Sequence, residues 1–126
     1  MTNQLIKEAH RQGVKVYFRK LPKHAGLYVK KDKAIYIDSR LTNAQQRSVL
    51  AHELGHHFYG HDGCQPEGQE RKAWEYGAHL LIMATDYAKA EIYTDGSVPA
   101  IAEYLDVTAE VVEAYQGFLS RRFTWN

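Results

Sequence analysis

Over the first part of the chain, apolar positions recur in two different rhythms. Leu5, Ile6 and Ala9 fall at helical spacing and Gly13 follows them, so residues 3–12 predict a short amphipathic helix with a stop signal. Val14, Val16 and Phe18 then alternate with Lys15, Tyr17 and Arg19, the period-2 pattern of a half-buried strand that ends before Pro22. Two further short runs, 27–30 and 34–37, flank the polar triplet Lys31-Asp32-Lys33 and predict a hairpin. From Thr42 the rhythm becomes helical. Thr42 and Gln45 stand as a capping box, and Leu50, Leu54 and Phe58 fall four apart as a core stripe that ends at Gly60. Beyond a loop at 62–68, Ala73, Tyr76, Gly77, Leu80, Leu81 and Ala84 define the apolar face of a second helix. Residues 87–93, then 98–105 with Pro99 in the first turn, then a segment capped by Thr108 and running towards Arg122 make up the rest.

Strands precede helices, so the pattern predicts an α+β fold. Residues 1–41 supply an N-terminal helix and a short three-stranded antiparallel sheet, 42–84 the central helix and its successor, and 85–126 a set of C-terminal helices. No repeat, low-complexity tract or long linker divides the 126 residues, a length suited to one domain with a core of its own.

Composition removes several classes of function. Lys and Arg total 16 against 15 Asp and Glu, and a formal charge of +1 creates no field that would gather nucleic acid or an anionic membrane. The longest plainly aliphatic stretch, Leu80 to Ala84, is far short of the ~20 residues of a membrane helix, and the amino terminus lacks the apolar centre of a signal peptide. A lone cysteine, Cys64, beside seven histidines suits a reducing interior, so the expected location is the cytoplasm.

The candidate chemistry lies on the central helix. In His52-Glu53-Leu54-Gly55-His56 the two histidines are four apart, so both imidazoles lie on one helical face and can bind one zinc ion. Glu53, rotated by ~100° from His52, suits a general base beside the open coordination position rather than a further ligand. The face Val49, His52, His56 is distinct from the core stripe, and Gly55 leaves the backbone bare next to the site. Two solvated surface histidines on a capped helix are the bland alternative.

A catalytic zinc ion wants a third protein ligand, and the acids downstream are Asp62, Glu67, Glu70 and Glu75. The apolar face of the second helix centres near Ala73, Gly77 and Leu80; at about 100° per residue Glu70 lies roughly 50° from that centre, and Glu75 opposite. Glu70 therefore points inward, where a carboxylate needs a positive partner, although a first-turn acid is also favoured by the helix dipole alone. Glu75 is the reserve. Tyr59 and Asp62 stand where a metzincin would carry its glycine and third histidine, so His61 is out of register and expected to be solvated at the helix end. His57 is expected to pack or make a supporting hydrogen bond, His79 to lie on the surface, and Cys64 to be incidental.

These residues resemble the ImmA/IrrE family of bacterial and bacteriophage zinc metallopeptidases over most of the chain. The stretch Ala51 to His57 is similar to the active-site helix of that family. Gln69-Glu70-Arg71-Lys72-Ala73, with Tyr76 and Leu80-Leu81 beyond, is similar to its second motif, which opens with the third ligand. The segment Ile101 to Thr108 looks like the tail, in which the family carries a helical turn reminiscent of DNA-binding domains. There are departures. Trp74 stands where Asn or Asp is frequent, and Ile82-Met83 replaces a frequent Met-Pro.

The resemblance implies a peptidase that cuts or helps to inactivate a helix-turn-helix transcriptional repressor, releasing mobile-element or stress genes. The expected centre is one zinc ion per chain on His52, His56 and Glu70, with Glu53 moving the proton. An extended substrate needs its backbone paired, and Ala34, Ile35, Tyr36 and Ile37 are expected to serve as an exposed edge strand. No residue stands out among nine tyrosines to steady an oxyanion. Two rivals compete with this reading. One is a module that binds the repressor without cutting it. The other is a DNA-binding protein built on 98–122, disfavoured because Glu110 and Glu113 open the presumptive recognition helix.

Overall fold

The computed structural model describes residues 2–61 and 66–122; Cys64 and Asp62 lie outside the described residues. Helix α1 (Thr2–Arg11) leads into β1 (Lys15–Arg19), β2 (Gly26–Val29) and β3 (Ala34–Asp38). Five helices follow: α2 (Asn43–Phe58), α3 (Glu67–Leu81), α4 (Ala84–Tyr93), α5 (Val98–Leu105) and α6 (Ala109–Arg122). The α+β class and the succession of elements are those the periodicity predicts.

The sheet differs from expectation in one respect that bears on the site. Strands β2 and β3 form the predicted antiparallel hairpin, joined by a 3₁₀ turn at Lys30–Asp32 and by Lys33 in the left-handed region (φ 48°). Strand β1, however, pairs with β3 in parallel, and the spatial order is β1-β3-β2. The sheet is therefore mixed. Alternation of apolar and polar residues is identical in a parallel and an antiparallel partner, so the pattern held no information on direction. As a result Ala34, Ile35, Tyr36 and Ile37 form the central strand and not an exposed edge. Ile35 and Ile37 are wholly buried, Tyr36 stacks on Tyr17 across the parallel pair at 5.3 Å, and both flanks of the strand are already paired.

Ile35 and Ile37 meet Leu50 and Leu54 of α2, with Leu5, Ala9, Val14 and Tyr28 completing that core. A second cluster unites the end of α3 with α4 to α6 through Ala78, Ile82, Tyr87, Ala90, Ile101, Val111, Val112 and Tyr115. Phe58 does not continue the core stripe. It is 60% exposed and stacks on Tyr76.

Two features of α2 place its functional face. The capping box holds: Gln45 N–H donates to Thr42 Oγ1 at 3.2 Å, and Thr42 N–H donates to Gln45 Oε1 at 2.9 Å. Against α3 the helix makes an unusually close approach over a stripe of small residues. A Cβ on Gly55 would sit 2.7 Å from the Ala73 Cα, and one on Gly77 would sit 2.9 Å from the Ala51 carbonyl carbon. Only residues without a side chain let the two backbones come this near, and this nearness brings the first turn of α3 over His52 and His56.

Candidate metal centre

Glu70 bridges the two histidines. Its Oε1 lies 3.0 Å from His52 Nε2 and its Oε2 lies 3.2 Å from His56 Nε2, and one ligand atom from each residue falls within a 4.8 Å group. Donors ~2.1 Å from a tetrahedral ion stand roughly 3.4 Å apart, close to these two separations, and the His-His-carboxylate set could hold a metal ion. Sequence periodicity turned Glu70 inward, and the structure places it there. Glu75 faces the other way, paired with Arg121 of α6 and with Arg71.

The surroundings favour neutral imidazoles, the form that binds metal. Burial, and after it the neighbouring His56, lowers the His52 pKa to about 4 against the opposing pull of Glu70. Burial also lowers His56. Glu53 is pushed the other way, up to about 7, chiefly by burial and then by the Glu70 charge, while a hydrogen bond from the Tyr28 main-chain N–H works in the opposite sense. A carboxyl that titrates near neutrality can both take and return a proton. A cation between His52, His56 and Glu70 would draw its pKa back down.

Each imidazole is steadied by a different neighbour. The end of α2 closes in a Schellman turn, with Gly60 at φ +72° and His61 N–H donating to the His56 carbonyl at 2.8 Å. That turn folds His61 back, so that its Nδ1 lies 3.0 Å from His56 Nδ1. His61 is thus buried against a candidate ligand, not solvated, and stands behind the centre instead of in it. His57 forms a hydrogen bond with Tyr28, whose Oη lies 2.9 Å from its Nδ1. Among the described residues His52 has no such partner: Glu53 Oε2 stands 3.6 Å from its Nδ1, too long for a hydrogen bond. Its ring lies instead on the Trp74 indole, centroids 4.0 Å apart and planes 8° from parallel. His79 is exposed, its ring edge against Phe118.

Two cavities meet over this centre and share Gly26, His52 and Glu53. One, of about 260 Å³, adds His24, Leu27, Tyr28, His56, His61 and Glu70. The other, of about 320 Å³, has an apolar wall of Leu41, Val49 and Trp74 and polar groups from Gln45, Ser48, Thr108 and Glu110. The strand beside them is β2, not β3. Periodicity passed over Tyr28 and Trp74 and set His61 aside as a solvated helix end, because each reads as an ordinary apolar or helix-end residue until its spatial neighbour is known. The one local hint was Trp74, through its departure from the family pattern.

No helix among the described residues is long and apolar enough to cross a membrane. A search of curated proteins finds no match. Residues 9–114, which hold β1 to β3, the His52 to His56 helix, Glu70 and Trp74, match the family model described as the IrrE N-terminal-like domain, and the chain therefore belongs to this peptidase family.

Proposed function

We propose that the chain is a zinc-dependent endopeptidase of the cytoplasm that cleaves a helix-turn-helix transcriptional repressor and acts on no nucleic acid or membrane directly. The observation that carries the hydrolytic reading is the Glu70 carboxylate set across His52 Nε2 and His56 Nε2, with Glu53 lining the same cavity. The repressor as substrate rests on the resemblance of the Gln69 to Leu81 and Ile101 to Thr108 segments to the ImmA/IrrE pattern.

His52, His56 and Glu70 would hold the ion. When bound, zinc would supply Lewis-acid polarisation of a peptide carbonyl and lower the pKa of a water towards about 7. Glu53 takes the proton of the attacking water and delivers it to the departing amine, as the C–N bond breaks and the new carboxyl forms. The Tyr28 N–H fixes the carboxylate for this exchange. An extended substrate pairs along the outer edge of β2, whose other flank is taken by β3 and whose Gly26 leaves open the junction of the two cavities. A side chain at Gly26 would run into Val49 and narrow that passage.

The test is Glu53→Gln, made with the zinc content of wild type and variant measured first. The expected result is one zinc per chain in both proteins, with a repressor encoded beside the gene cut by wild type and only bound by the variant. Equal release of the repressor's operator by both proteins would overturn the hydrolytic reading in favour of a module that binds without cutting.

A further inference from the structure

Outside the metal centre, the observation that nothing above accounts for is the indole on His52. Glu70 and Trp74 are four apart on α3, so they lie on one face of it, and that face is turned to His52 and His56. Glu70 meets the Nε2 ends of the rings. Trp74 covers the flat side of one of them.

Ring rotation about the Cβ–Cγ bond of histidine is a soft torsion with two broad wells, so an imidazole without a partner on its second nitrogen swivels easily. His56 has such a partner in His61. For His52, Glu53 Oε2 at 3.6 Å from Nδ1 is beyond hydrogen-bond reach, and no other described residue bonds that nitrogen. A parallel indole at 4.0 Å changes this, because turning the imidazole out of the stack would drive its edge into the indole face. The indole is anchored in turn, since Trp74 also packs against the core formed by the end of α3 and α4 to α6.

We infer that Trp74 is a positioning residue for the metal centre, an aromatic plate that fixes the ring plane of His52 where a hydrogen bond to Nδ1 would otherwise do so. This rests on the zinc reading above and adds to it that metal affinity depends on a flat group at position 74. An ordinary core residue would require only volume there.

The two roles separate when volume and flatness are varied independently. Trp74→Phe retains an aromatic face and Trp74→Leu retains apolar bulk, and zinc affinity is read by competition with a chromophoric chelator. Wild type must first bind zinc; failure there removes the zinc reading itself and not merely the clamp. Given binding, Trp74→Leu is expected to lose about 10-fold to 100-fold in affinity, the usual cost of disturbing a group that orients a ligand. Trp74→Phe is expected to stay within about threefold of wild type on that same scale. The cobalt-substituted absorption spectrum should shift in the Leu variant and not in the Phe variant. Equal affinity and equal spectra for Leu and wild type would overturn the inference, as would an equal loss in both variants. Should the Leu variant fail to fold, Trp74 emission decides in a Trp125→Phe background, which leaves a single tryptophan. A change in emission on zinc saturation supports face contact with a ligand, and an unaltered spectrum contradicts it.

Discussion

Two carboxylates at the site, one helix apart, differ in what surrounds them. Glu70 is partly open to solvent and opposite two imidazoles, whereas Glu53 is buried with one main-chain N–H for company. The sign of the Glu53 effect on stability follows. Its pKa in the folded, metal-free protein, about 7, lies above the ordinary 4.5, so over that interval the native state binds the proton that the unfolded chain has lost. Stability contributed by the protonated carboxyl is full below pH 4.5 and declines as pH rises through 7. In chelator, Glu53→Gln is therefore expected to match wild type near the lower limit and to exceed it at pH 8, by up to ~3 kcal/mol. Thermal melts at both pH values check this, and an unchanged gap between the two proteins would contradict it. Substitution also separates the candidate third ligands. Glu70→Ala is expected to abolish stoichiometric zinc binding, while Glu75→Ala, which loses only its pairing with Arg121 and Arg71, retains one ion by elemental analysis.

At the scale of elements, the contact that assembles the site is the crossing of α2 on α3. Ordinarily alanine is worth up to ~1 kcal/mol more than glycine inside a helix. At Gly55 and Gly77 the added methyl would meet main-chain atoms of Ala73 and Ala51, which cannot swing aside as a side chain can. Overpacking of this kind costs about 1–3 kcal/mol, so Gly77→Ala is expected to lower stability in urea unfolding and to weaken zinc binding together. Stability and affinity both equal to wild type would mean that the helices do not cross so closely. The α2–α3 pairing was half legible beforehand. Apolar periodicity chose the face of α3 that turns inward, yet it counted Gly77 as one more apolar position. Whether a glycine is there for packing or for close approach depends on what stands opposite, and that is a property of the partner helix.

For the molecule as a whole, a ligand that binds only the folded chain stabilises it by mass action, by about 2.7 kcal/mol at a hundredfold excess over the dissociation constant. Zinc is therefore expected to raise the melting temperature progressively with concentration and chelator to reverse the gain, with the effect lost in acid as His52 and His56 take up protons. A melting curve indifferent to zinc at neutral pH would count against a metal held by the native fold. The charge balance has a consequence at the same scale. With a net +1, and with Glu110 and Glu113 exposed on the first turns of α6, the chain is expected to show no salt-dependent retention on duplex DNA. Retention that weakens steeply with salt would reinstate the DNA-binding alternative.

Local chemistry is written in the order of residues, and the sequence by itself determined what is local. It set the succession of helices and strands, the Thr42 capping box, the placing of His52 and His56 on one face, and the inward turn of Glu70. Helical and strand periods convert spacing directly into direction, without reference to any other part of the chain. The tertiary structure alone decided which strand lies at the edge of the sheet, that Phe58 leaves the core, that His61 folds back on His56, and that Trp74 lies flat on His52. It also decided that Glu53 titrates near neutrality, because a buried carboxyl responds to the dielectric and the charges that packing brings around it. Each of these depends on which elements come to face one another, and a period within one element carries no record of its neighbour.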